Sequence, residues 1–82
     1  MAYDDTSKAI LRKMFYDNRI GGRHLSFEDL RRGFPSHVKG NVANRLKKLV
    51  RENLILHHPT SHGIQYYLNP QSLEEISEII QD

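Results

Sequence analysis

The chain has 82 residues, room for one domain built around a small hydrophobic core. Hydrophobic residues make up 38% and charged residues 27%, enough apolar surface to fold, and no apolar run approaches the roughly 20 residues of a membrane-spanning helix. There is no cysteine, so neither a disulfide nor a Cys-ligated zinc can staple the fold, and packing must hold it.

The net charge of +2 conceals an uneven distribution. Through Val38, seven Lys/Arg stand against five Asp/Glu; from Lys39 to Asn53, five stand against one. From Leu54 onward there are four acids and no Lys or Arg. A basic segment therefore precedes an acidic one. Such a run is usually a solvated helix face, and otherwise the electrostatic footprint of a phosphate-binding surface. The first eight residues are polar and acidic, unlike a secretory signal, so a cytoplasmic protein is expected.

In chain order, a first helix is predicted from about 6 to 18, capped by Asp5 or Thr6. Ile10, Leu11, Met14 and Phe15 recur along it at helical spacing. Gly21 and Gly22 break the pattern, and His24 with Leu25 suits a very short strand. Ser26 reads as the cap of a short second helix with Asp29 at its third position; this helix buries Phe27 and Leu30 and ends near Gly33. Gly33-Phe34-Pro35-Ser36 is a turn, since Gly permits a helix exit and Pro forbids simple continuation.

A third helix is predicted over about 38–53, with Ser36 or Asn41 able to cap it. Val42, Leu46, Leu49 and Val50 fall on one side at about 100° per residue, with Asn41, Asn44, Lys48 and Arg51 opposite and Arg45 and Lys47 flanking. Residues 54–58 and 64–68 are rich in strand formers and form a hairpin through a loop at 59–63. Asn69-Pro70 then supplies a cap and a first-turn proline for a last helix, 70–81, whose apolar positions are Leu73, Ile76, Ile79 and Ile80.

The expected fold is α+β, mainly helical with a small hairpin, in the order helix, strand, helix, helix, strand, strand, helix. The stretch from Val42 to Ile55 resembles the recognition-helix-to-wing segment of prokaryotic-type winged helix-turn-helix transcriptional regulators. Those show a β-branched residue, a Leu four later, Lys/Arg-rich positions, another Leu, and a closing Gly/Asn-Leu-Ile. Here these are Val42, Leu46, Lys47-Lys48, Leu49 and Asn53-Leu54-Ile55. The resemblance covers 7–68, and very many families share the pattern.

The resemblance implies one winged-helix domain over 1–82, with its wing at 54–69. It places Lys39, Gly40, Asn41, Asn44, Arg45 and Lys48 toward the major groove of double-stranded DNA. Asn41 or Asn44 can bond an adenine edge in bidentate fashion and Arg45 a guanine, while Lys47, Lys48 and Arg51 suit phosphates. Gly40 either lets backbone approach a phosphate or is simply tolerated in the first turn. The wing departs from the usual pattern, because it offers His57, His58 and His62 where Arg or Lys is common.

Three imidazoles also raise a metal site, but no carboxylate or Cys lies between Asn53 and Asn69, so solvated histidines are the better reading. Tyr66 and Tyr67 can serve as stacking platforms for single strands, or split between core and surface. No P-loop, dinucleotide fingerprint or metalloprotease motif occurs, and neither enzymatic activity nor a cofactor is expected. The favoured function is duplex DNA binding by a transcriptional regulator. The alternatives are a winged-helix protein–protein module, favoured by the uncharged wing and acidic tail, or RNA binding by the same fold. A homodimer through Leu73, Ile76, Ile79 and Ile80 is expected, the other possibility being that this stripe packs on the first helix. No membrane association and no small-molecule effector are expected.

Overall fold

In the computed structural model, which describes residues 3–81, α1 (Asp5–Tyr16) is entered through Asp4. Its carboxylate accepts the Ser7 N–H at 2.8 Å, so the cap lies one residue ahead of Asp5. Asp4 has the extended backbone a cap requires, whereas Asp5 and Thr6 are already helical. The helix stops two residues short of Asn18, with Asp17 as its C-cap and Asn18 just beyond it at a left-handed φ of 58°. From there the Asn18 N–H reaches the Phe15 carbonyl at 3.1 Å and the Arg19 N–H reaches that of Met14 at 2.9 Å, satisfying carbonyls the helix leaves open.

After the glycine turn come β1 (Leu25–Ser26) and α2 (Phe27–Arg32), the latter capped as predicted by the Ser26 hydroxyl accepting the Asp29 N–H at 3.1 Å. A 3-10 turn, Ser36–Val38, then runs directly into α3 (Lys39–Arg51). Neither Ser36 nor Asn41 caps α3; the turn delivers a backbone already helical at Val38 and no side chain is used. The exit of α3 repeats that of α1. Asn53 takes φ 65°, its N–H donates to Val50 at 3.0 Å, and Leu54 donates to Leu49 at 3.1 Å. Left-handed backbone is costly for most L-residues and tolerated by Asn, which accounts for Asn53 in the Asn-Leu-Ile triplet.

Strands β2 (Ile55–Thr60) and β3 (Gly63–Leu68) are each longer than predicted, leaving only Ser61 and His62 between them. The Thr60 hydroxyl closes this turn, donating to the Gly63 carbonyl at 2.7 Å and accepting from the His62 N–H at 3.1 Å. Pro59, expected in the loop, lies within β2 opposite Ile64. It is tolerated there because the strand order β1-β3-β2 makes β2 an edge strand. Asn69 accepts the Gln71 N–H at 3.0 Å, and a 3-10 turn at Pro70–Ser72 opens α4 (Leu73–Gln81).

The described residues are thus α+β, with four α-helices and a three-stranded antiparallel sheet. One core joins Ile10, Leu11 and Met14 of α1, Leu30 of α2, Val42, Leu46 and Leu49 of α3, and Leu54, Ile55 and Leu68 around the sheet. Ile76 and Ile80 complete it from α4, with Leu73 and Ile79 packed partly buried against it. The apolar stripe of α4 therefore lies inside this chain, on the α1 side, where Arg12 also donates to the Ile80 carbonyl at 2.7 Å. Among the described residues no helix is long and apolar enough to cross a membrane.

Candidate functional site

Helix α3 buries Val42, Leu46 and Leu49 and turns its other side to solvent. Gly40, Asn44, Lys47 and Arg51 follow one another at intervals of four, three and four residues, so they line one ridge of the helix. All four are exposed, as are Asn41 and Lys48 on the neighbouring row; Lys39, at the helix start, is half-buried. Among the described residues, Lys39, Lys47, Lys48 and Arg51 make no ion pair within the chain.

Arg45 stands apart from this ridge. Its guanidinium Nε donates to the carboxylate of Asp4, the residue that caps α1. Burial pushes the Asp4 carboxyl up, but hydrogen bonds from Ser7 and the Arg45 guanidinium together outweigh this and hold it below its usual value. On the same flank, burial and then hydrogen bonding to Glu52 raise the Tyr3 hydroxyl. The predicted set of base-reading residues therefore divides. Asn41 and Asn44 are open, while Arg45 is tied to the start of α1.

The hairpin histidines divide as well, because successive strand residues point to opposite faces. His57 meets Tyr66 edge-to-face at a centroid distance of 5.9 Å and looks toward α3. His58 faces the other way, edge-on to His24 at 5.1 Å and near Tyr67 at 5.7 Å. His62 is exposed at the turn. The three do not converge, and no group of three or more His, Cys, Asp or Glu suited to a metal exists among the described residues. Tyr66 packs against the core and Tyr67 lies on the outer face with His58.

Between α3 and the hairpin runs an open groove of about 560 Å³. Phe27, Ala43, Leu46, Val50, Ile64 and Tyr66 make it apolar, and Lys47, Arg51 and His57 are its polar members. Sequence patterning assigned Phe27 and Val50 to the core and left Ile64 as a strand former. The signal that points to the groove is positional: Ile64, Tyr66 and Leu68 alternate along β3, and the strand continues outward past the buried end at Leu68. His24 is likewise drawn in only by the fold, with Nδ1 3.3 Å from the Gln65 Oε1.

Compared with protein-family models, curated proteins and solved structures, the chain matches none.

Proposed function

We propose that the chain is a winged helix-turn-helix domain that binds double-stranded DNA, with α3 in the major groove, in the manner of a transcriptional regulator. The observation that carries this reading is the ridge Gly40–Asn44–Lys47–Arg51 with Lys48 beside it: exposed, cationic and, among the described residues, without carboxylate partners. A B-form major groove is about 12 Å wide and admits a helix of this kind. Asn44 then sits where a side-chain amide can read an adenine edge, and Lys47, Lys48 and Arg51 neutralise phosphates. Helix order and the hairpin following α3 support the winged-helix assignment. Asp4 withdraws Arg45 from base reading in the free protein.

A heteronuclear shift titration with random and selected duplexes tests the reading. Amides of Asn41, Asn44, Lys47 and Lys48 should shift most. Unchanged spectra at low salt with excess duplex would refute it.

A protein–protein role is the second reading, favoured by a hairpin without Lys or Arg between Ile55 and Leu68 and by the apolar groove beside it.

A further inference from the structure

Ile64 is one of two large hydrophobic side chains that stand exposed among the described residues, at 49%. It lies on the groove between α3 and the hairpin, together with half-buried Val50. Phosphate contacts need donors and charges, and apolar base contacts such as those to thymine methyls would fall to the exposed ridge of α3. Duplex recognition therefore leaves these aliphatic groups on the hairpin side without a partner. Rimmed apolar surfaces of this type mark sites where another molecule is seated.

The charge of the rim narrows the occupant. Lys47 and Arg51 stand on the α3 side, and none of the residues lining the groove is acidic. A complementary ligand is therefore apolar on one side and anionic along its flank. The groove is open, whereas small-molecule pockets enclose most of their ligand. From 43 to 51 the helical wall extends about 12 Å at 1.5 Å per residue, room for about two turns of a docked helix. Grooves of this form take amphipathic helices through side chains at i, i+3, i+4 and i+7.

We propose that this groove docks an acidic amphipathic helix of a partner protein. Aliphatic side chains of the partner cover Val50 and Ile64, and its carboxylates pair with Lys47 and Arg51. This does not depend on DNA binding, although the two cations are shared with the phosphate-binding ridge.

The test is a heteronuclear shift titration of the full chain with a capped synthetic peptide of about 16 residues, long enough for partial helicity. The peptide carries Leu at i, i+3, i+4 and i+7 and Glu and Ala elsewhere. One control replaces every Glu by Lys, and a second replaces every Leu by Ala. The amides of Ala43, Val50, Ile64 and Tyr66 should shift together and saturate, and each control should bind at least about tenfold more weakly. Ile64→Ser, at an exposed position, should weaken the peptide about tenfold while leaving a parallel duplex titration unchanged. No saturable shift, equal binding of the Lys peptide, or indifference to Ile64→Ser would overturn the proposal. The duplex titration reads the DNA assignment separately, so either can fail without the other.

Discussion

Asp4 and Arg45, 41 positions apart, share one carboxylate that also caps α1: Arg45 Nε and the Ser7 N–H both donate to it. The cap and the ion pair can be separated by substitution. Asp4→Asn keeps an N-cap acceptor and removes the charge; Asp4→Ala removes both. The pair is partly exposed, 38% for Arg45 and 43% for Asp4, so screening leaves it worth less than about 1 kcal/mol. The cap is worth about 1 kcal/mol. Denaturant unfolding at pH 7 should therefore place Asp4→Asn near the wild type and Asp4→Ala clearly below it. Equal losses in both would make the ion pair, not the cap, the stabilising element.

The same carboxylate sets an acid limb. Its folded pKa is lowered from 3.8, so the folded state binds this proton less readily than the unfolded chain. The stability it contributes is present above the unfolded value and is lost as pH falls through the lowered folded value. Between pH 7 and 5 its contribution should be constant, and below about pH 4 the wild type should lose stability more steeply than Asp4→Asn. Thermal unfolding of the two proteins across pH 2.5 to 7, roughly that window, checks the sign. Parallel curves would remove Asp4 as the source.

Two glycines should respond in opposite directions. Gly63 has φ 104° and open space around an added Cβ, so Gly63→Ala is opposed by backbone alone and should destabilise by about 1–2 kcal/mol. Gly40 lies in α3 with nothing within 4 Å of an added Cβ, so Gly40→Ala should stabilise by about 0.5–1 kcal/mol. If the ridge lies against phosphates as proposed, the new methyl should also weaken duplex affinity. Higher stability with unaltered affinity would make Gly40 a bystander.

On the ridge, charge and base reading should separate. Lys47→Ala and Arg51→Ala should lower affinity on every duplex and reduce the salt slope by about one each. Asn44→Ala should instead relax preference at one base pair, by about 1–3 kcal/mol. Asp4→Asn should raise affinity by freeing Arg45, and Arg45→Ala in that background should abolish the gain. Fluorescence anisotropy at several salt concentrations resolves all five variants, and a salt slope unchanged by Lys47→Ala would take Lys47 off the phosphates.

Ile76 should be intolerant of charge because it is fully buried in the chain's own core. Ile76→Ala should cost about 2–5 kcal/mol, a large share of the stability of so small a domain. Ile76→Glu should leave the chain unfolded by circular dichroism. A folded Ile76→Glu protein with its wild-type counterpart sedimenting as a dimer would instead mean that the stripe serves an interface.

Local signals carried the element order, because each depends on a few neighbouring residues. The 3.6-residue repeat of Val42, Leu46 and Leu49 defined α3 and its buried side; the Ser26–Asp29 spacing defined the start of α2; Asn69-Pro70 defined the start of the last helical segment. Asn53-Leu54-Ile55 carried the exit of α3, since Asn tolerates the left-handed backbone and the two apolar residues enter the core. Contacts between distant segments were legible only in the assembled molecule. Arg45 looked like a free reader of bases because Asp4, its partner, lies 41 residues away. Pro59 looked like loop, because its place in a strand depends on β2 being the sheet edge. The groove needed α2, α3 and the hairpin to meet around Phe27, Val50 and Ile64. The stripe of α4 had two possible destinations by pattern, and only packing on the α1 side decided where Ile76 and Ile80 are buried in this chain. Periodicity states that a face must be covered; which surface covers it depends on the free energy of the whole core, which no single segment contains.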